Sequence, residues 1–333
     1  MRRAELLARI LLVSGLSGAV LVPLLIRGFR ASATPEIRAR MAGAGGWIPD
    51  ALRAEAGKPI RLRLTSEDVV HGFAVGRSGF APVDVLPGQV TEVTLTFDEP
   101  GTYTFYCTRW CGPDHWRMRG TIEVEGAGPA VSSTIDPPAY VELGLDIDAP
   151  HPAPAVPSAP PSATRAASLS LAMPDAYRTA SYYRSHSPGE VWVELRVDSL
   201  TSSLSDDQVW DLVAWLWEGQ TSPEGLAEGR DIFRRECAAC HGEIGAGDGV
   251  FAEEIAASAA PAQSSMAPLA PPGPPDFTRR ATMFGAPPAL LQGKILRGGM
   301  GTGMPDWGSI LTDDQIWAVI GYLYSISFSE DGL

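Results

Sequence analysis

The sequence predicts a multi-domain chain: an N-terminal transmembrane helix, then a small all-β domain, then all-α modules. Three observations carry this reading. Ile10–Ile26 is a run of 17 residues without a charge. Residues 58–125 run in β-branched and aromatic residues broken by turn dipeptides. One helical pattern occurs twice, over 204–217 and 311–324. A chain of 333 residues has room for such a division, since a domain takes about 150 residues. Its net charge of −13 argues against nucleic acid as a partner.

The uncharged run, as a helix, is about 26 Å long, just short of a ~30 Å hydrocarbon core. Arg9 and Arg27 flank it and can snorkel. Ala31-Ser32-Ala33 resembles a processing site. The run exceeds a usual leader core, however, and Arg27 and Arg30 intervene, so an uncleaved anchor is expected. Residues 1–45 are assigned to this anchor and its linker. Basic residues on both sides leave its orientation open.

The β region follows. RLRLTS, TEVTLTF, YTFYC and TIEVE read as strands, separated by turns such as Leu86-Pro87-Gly88 and Glu99-Pro100-Gly101. They predict a small antiparallel sandwich or barrel over 46–127. Next comes APHPAPAVPSAPPSATRA (149–166), which marks 128–167 as an extended, semi-rigid Pro/Ala linker.

The helical half contains an internal repeat. LSDDQVWDLVAWLW (204–217) matches LTDDQIWAVIGYLY (311–324). Each opens on a capping box, Ser205…Gln208 and Thr312…Gln315. Each carries an apolar stripe: Val209, Val213 and Leu216 in one, Ile316, Ile320 and Leu323 in the other. Upstream, MPDAYRTASYYRSHSP echoes PPDFTRRATMFGAP. Two copies of one module are therefore expected, over 168–220 and 221–333. In the second, Ser222 caps a helix that starts at Pro223 and runs into Cys237.

Only the second copy carries Cys237-Ala-Ala-Cys240-His241. CxxCH is the attachment pattern of a covalent c-type haem: two thiols add to its vinyl groups and the next imidazole takes the iron. Met304, before Pro305, is the natural sixth ligand, with Met300 the runner-up. His/Met ligation raises the potential of the iron and suits electron transfer. This module resembles class I cytochrome c domains over 222–327. The first copy keeps Met173 and His186 but has no thiols, so it is expected to be a degenerate, haem-less module. Its Trp192, Trp210, Trp215 and Trp217 are expected in core or interface.

The β domain holds the other pair of cysteines. FYCTRWCGPDHWRMRG (105–120) places Cys107, Cys111, His115 and Met118 in a C-x3-C-x3-H-x2-M pattern. Thiolates, imidazole and thioether together favour copper. Structural zinc would take two Cys and two His and leave Met118 idle. Two thiolates one turn apart can bridge a pair of copper ions. A second imidazole is then needed, and His71 is the only other histidine of this domain. Met118 and a carbonyl within the loop would complete the set. A Cys107–Cys111 disulfide is the plain alternative.

VVHGFAV, VLPGQVTEV, PGTYTFYC and the loop motif resemble the cupredoxin-like CuA domain of cytochrome c oxidase subunit II over residues 46–125. The resemblance is to the branch with a single anchor. It implies that Cys107 and Cys111 bridge dinuclear copper, that His71 and His115 bind one ion each, and that Met118 and the Arg109 carbonyl are axial ligands. Many relatives place an acid at the Arg109 position, where it helps to hold magnesium. Arg109 cannot do so, and no such ion is expected. The resemblance further implies an electron-transfer subunit of a membrane haem–copper oxidase. Electrons would pass from a periplasmic cytochrome c or cupredoxin to haem c, then to CuA, then to subunit I. No catalytic residue is expected in the chain itself. Both cofactors are assembled outside the cytoplasm, which sets the anchor N-in in the bacterial cytoplasmic membrane with the C-terminal domains in the periplasm. Two rival readings remain: the electron-entry subunit of a CuA-type nitric oxide reductase, and a periplasmic copper-handling protein.

Charge suggests how the modules meet. Arg109, Arg117 and Arg119 surround the copper loop, opposed only by Asp114. Residues 221–333 carry 7 basic and 14 acidic groups. A complementary, salt-sensitive contact is one expectation. A solvated basic rim facing subunit I is the other.

Overall fold

A computed structural model describes residues 34–112, 114–126, 137–258, 273–299 and 303–329. The expected anchor over 10–26 and Met300 lie outside the described residues. Among the described residues no helix is long and apolar enough to cross a membrane.

The β domain comprises β1 (Glu36–Ala39), β2 (Trp47–Ile48), β3 (Ala51–Glu55), β4 (Ile60–Ser66), β5 (His71–Val75), β6 (Val83–Val85), β7 (Val90–Leu95), β8 (Gly101–Tyr106) and β9 (Arg119–Glu125). One sheet runs β2-β1-β4-β7 and the other β3-β9-β8-β5-β6. This is a cupredoxin-like sandwich. Alternation sets its faces: Leu62 and Leu64 of β4 turn inward while Arg61 and Arg63 face out. Between the sheets lie Ile37, Phe73, Phe97, Phe105 and Ile122. Each such side chain contributes about 1.5–3 kcal/mol by leaving water.

The register positions the Cys107–Met118 loop. β8 pairs with β9 through Tyr106↔Arg119, so residues 107–118 form the connection of that hairpin. β8 also pairs with β5 through Ala74↔Tyr106, which brings the His71 end of β5 to the mouth of the same loop. All five residues of β5 are buried, as suits an inner strand.

The helical half lays out two similar series of helices. Helices Ala180–Ser185, Pro188–Val197 and Asp206–Glu218 correspond to Arg280–Met283, Pro288–Arg297 and Asp313–Phe328. Both capping boxes close reciprocally, at Ser205/Gln208 and at Thr312/Gln315. Both apolar stripes are buried in one core that spans the two copies. Trp210 and Trp217 lie within that core, and Trp192 and Trp215 pack against it. The second copy adds helix Pro223–Ile232, a π-helical turn Phe233–Cys237 and helix Ala238–His241.

The described part of the expected linker, from 137 onward, does not hang free. It forms helices Ala139–Glu142 and Ala163–Ser168, and its prolines supply apolar surface. A Cβ on Gly189 would lie 2.8 Å from the Pro154 ring, and one on Gly285 would lie 2.1 Å from the His151 carbonyl. Arg165 pairs with the buried Asp211 carboxylate at 2.7 Å. Composition alone reads this stretch as a spacer, whereas the ion pair and proline packing make it a strap.

Val213 is fully buried in the shared core. Val213→Asp is expected to cost roughly 3–5 kcal/mol, because an unpaired charge enters an apolar site. A thermal melt followed at the haem band and in the far ultraviolet checks this. The midpoint should fall steeply while the haem spectrum at low temperature stays the same.

Candidate metal and haem sites

The loop 107–118 gathers the whole predicted donor set. Cys107 Sγ lies 3.8 Å from His71 Nδ1 and 3.2 Å from the Arg109 carbonyl oxygen. Cys111 Sγ lies 3.5 Å from His115 Nδ1 and 3.1 Å from Met118 Sδ. The donor atoms of His71, Cys107 and Cys111 fall within 4.8 Å of one another. Both cysteines are free and buried, not joined as a disulfide. His71 and Met118 are buried as well, at 0% and 1% exposure.

Local structure builds this cluster. The Cys107 amide donates to the Met118 carbonyl at 3.1 Å, closing the loop at its base. Trp47 Nε1–H donates to the same carbonyl at 3.1 Å and covers the His71 side. Gly72 must be glycine for lack of space: a Cβ there would lie 2.1 Å from Thr108 Oγ1. Its amide donates to Cys107 Sγ at 3.4 Å, which favours a thiolate.

The charge state fits a cation. The hydrogen bond with Cys111 and, against burial, those with His115 and His71 hold the Cys107 thiol well below the usual thiol range. The same contact with Cys107, together with burial, pushes Cys111 up. One thiolate forms readily, and a second is held off until positive charge sits between the sulfurs. Burial lowers the His71 pKa, but hydrogen bonds to Cys107 and Asp68 outweigh it and the net shift is upward. Soft donors, apolar walls and unequal thiols together fit copper.

Asp68 is a site residue that the motif does not reveal. Its Oδ1 lies 2.8 Å from His71 Nε2, which leaves Nδ1 to face Cys107. A carboxylate behind a ligating imidazole fixes the ring and raises its basicity. The available hint is its position three residues before His71. The Arg109 side chain turns away from the cluster and grips Asp84 through two hydrogen bonds, at 2.8 and 3.0 Å.

The haem motif sits where the π-helical turn hands over to helix Ala238–His241. The loop that follows folds back on it. The Gly247 amide donates to the His241 carbonyl at 2.8 Å, and the Phe251 amide to the Ala239 carbonyl at 3.1 Å. The His241 ring stacks on Phe277 with centroids 4.9 Å apart. Its Nδ1 is buried, and a hydrogen bond at the Pro275 backbone partly offsets the effect of that burial. Burial lowers its pKa to about 4, so the imidazole is neutral and able to ligate at neutral pH. Cys237 and Met304 both pack against the shared core. A neutral, half-buried imidazole beside two free thiols fits covalent haem.

Comparison with known proteins gives a family match for each half of the chain. Residues 51–125 match the family model described as cytochrome c oxidase subunit II, periplasmic domain. Residues 224–323 match the model described as cytochrome c oxidase, cbb3-type, subunit III. The β part of the chain is thus similar to a subunit II periplasmic domain and its C-terminal part to a cytochrome subunit. A curated cytochrome c oxidase subunit 2 from Thermus thermophilus is 41% identical over 85 residues, covering 26% of this chain and 62% of that protein. A second subunit 2 from the same species is 41% identical over 85 residues and is covered to 50%. The chain therefore spans half to under two thirds of the length of these relatives. Among solved structures, the periplasmic domain of cytochrome oxidase subunit II from Bradyrhizobium japonicum is 30% identical, with a TM-score of 0.22. That likeness covers 23% of this chain and 55% of the other.

Proposed function

We propose that this chain is the electron-transfer subunit of a membrane-anchored haem–copper oxidase, with its redox domains in the periplasm and the 10–26 run as its anchor. The observation that carries the reading is the convergence of Cys107, Cys111, His71, His115, Met118 and the Arg109 carbonyl in a chain that also bears a c-type haem motif. When bound, a copper pair and one haem supply one-electron carriage from a soluble donor towards a catalytic partner subunit.

The residues divide the work. Cys107 and Cys111 would bridge the coppers, and His71 and His115 would each cap one. Met118 and the Arg109 carbonyl would be the weak outer ligands. Cys237 and Cys240 would fix the haem, with His241 and Met304 on its axis. Asp68 orients His71, and Trp47 with Phe73 and Phe105 shields the site from water. A rigid, dry ligand set changes little between redox states, as an electron carrier requires. Residues 168–220 act as a haem-less packing module, their helices continuous with the cytochrome core.

Met118→Leu is expected to retain both coppers but shift their potential, because a thioether is a weak outer ligand. Copper content and redox titration of the purified protein check this. The function itself is tested by affinity-purifying the full chain from membranes and identifying the large subunit that accompanies it. An oxygen-reducing haem–copper subunit is expected. A nitric oxide-reducing one, or copper that leaves to a mild chelator with no large partner at all, would overturn the reading.

A further inference from the structure

Three contacts that cross from the β domain to the helical body share a pattern. Tyr106, next to Cys107, donates its hydroxyl to Glu236 Oε1 at 3.3 Å, and Glu236 is next to Cys237. Trp110, next to Cys111, stacks on Phe251 with ring centroids 3.5 Å apart. The Phe251 amide donates to the carbonyl of Ala239, inside the Cys237–Cys240 turn. Arg119, next to Met118, pairs with Asp306 at 2.7 Å, two residues beyond Met304. Each contact thus joins a neighbour of a copper-loop donor to a neighbour of the haem motif or its Met loop.

We propose that Tyr106–Glu236, Trp110–Phe251 and Arg119–Asp306 form a built junction that docks the cytochrome module permanently on the copper loop. The module is then the loop's resident electron partner, and a soluble donor is confined to the haem side. The inference rests on the functional reading above.

The junction has the character of a core rather than a passing encounter. Ala74 and Tyr106 of the β domain belong to the hydrophobic core of the helical half. Contacts between domains are by default polar and mobile, and apolar continuity removes that freedom. Glu236 is buried, its side chain 4% exposed, and it is held by Arg235 at 2.7 Å as well as by Tyr106. A buried carboxylate is tolerated only where partners are fixed. Arg77 reaches across to the Gly308 and Leu311 carbonyls from a left-handed backbone, φ 58°. Such a conformation in a non-glycine residue persists where its surroundings impose it. Beside it, Gly76 lies against the Ile310 backbone, and a Cβ there would be 2.7 Å from Ile310 Cα.

The arginine expectation is refined at the same time. Of the three loop arginines, Arg119 crosses to the helical body, Arg109 pairs with Asp84, and Arg117 lies 4.0 Å from Asp114. Docking therefore depends on packing more than on net charge, and salt should weaken it little.

Gly76→Val tests the junction in the full, cofactor-loaded chain. The added side chain meets Ile310 backbone and touches no proposed ligand. Solution X-ray scattering should show an expanded particle, and amide exchange should rise over 105–119 and 304–311. Internal haem-to-copper electron transfer after flash reduction should fall about tenfold or more, in proportion to the lost docked population. The optical and paramagnetic spectra of each cofactor should be unchanged. Should Gly76→Val misfold, the Trp110→Leu/Arg119→Gln double variant opens the same face from exposed and half-buried positions. Wild-type transfer should be nearly constant between low and high salt. An expanded variant that transfers at the wild-type rate, or wild-type scattering that already fits separated domains, would overturn the proposal. Absence of either cofactor spectrum from the wild-type protein would sink the functional reading instead, and scattering would still decide the docking.

Discussion

Cys107→Ser is expected to abolish the paired copper site. Cys107 is the best-connected donor of the cluster: its sulfur faces His71 Nδ1, the Arg109 carbonyl and the Gly72 amide. Cys111 first and then, despite burial, the two imidazoles hold its thiol well below the usual range, which favours the thiolate that a soft metal needs. A serine hydroxyl fills almost the same space but does not ionise at neutral pH. The variant should keep its β sandwich and lose the bridge. Metal analysis should fall from about two coppers per chain to one or none. The hyperfine pattern of one electron shared by two copper nuclei should vanish, while the thermal midpoint of the metal-free protein barely moves. Full loading with an unchanged spectrum would show that Cys107 is no bridge. Asp68→Ala is a graded companion: it leaves every donor in place but frees the His71 ring. Removing such a partner typically weakens metal binding by 10–100-fold, roughly.

The contrast between Cys107 and Asp68 shows what the sequence could and could not say. The loop donors are legible because Cys107 to Met118 lie in one short stretch, and a tight run of soft ligands has few structural explanations. His71 is legible by elimination, as the remaining histidine of its domain. Asp68 is an ordinary acid in a turn until β5 is built, and only the direction of the His71 ring gives it a role. The three loop arginines look alike in sequence, yet Asp84, Asp114 and Asp306 give them different partners, and two of those acids come from distant segments.

The same distinction holds for the fold. The capping boxes at Ser205 and Thr312 are local chemistry and are realised as read. β1 and β3 are short strands that pair in parallel with β4 and β9, and such partners carry no turn signal to betray them. The stretch after residue 137 has the composition of a spacer. Its place is set by long-range contacts, Arg165 with Asp211 and Arg297 with Asp148, that composition cannot encode.

The second large effect concerns the haem. The Cys237→Ala/Cys240→Ala double variant is expected to remove covalent haem completely, and the wild-type chain to carry one haem although its helical half is a repeat. The argument is subtraction between the two copies. Helices Ala180–Ser185, Pro188–Val197 and Asp206–Glu218 match their counterparts in the second copy. What the first copy lacks is the Phe233–His241 segment and the loop bearing Met304. Without thiols there is nothing to add to the vinyl groups. Its His186 ring is engaged by Tyr182, stacked at 4.0 Å, and its Nδ1 lies within hydrogen-bond reach of the Tyr182 carbonyl and Ser185 Oγ. His241 is the opposite case: half-buried, stacked on Phe277 and kept neutral by its surroundings. Intact mass spectrometry under denaturing conditions should give one haem increment for the wild-type protein and none for the double variant. His241→Ala should keep the covalent increment but change the axial spectrum, since attachment and ligation use different atoms. A second increment in the wild-type chain, or a bis-histidine spectrum that His186→Ala removes, would overturn the assignment of residues 168–220 as a haem-less module.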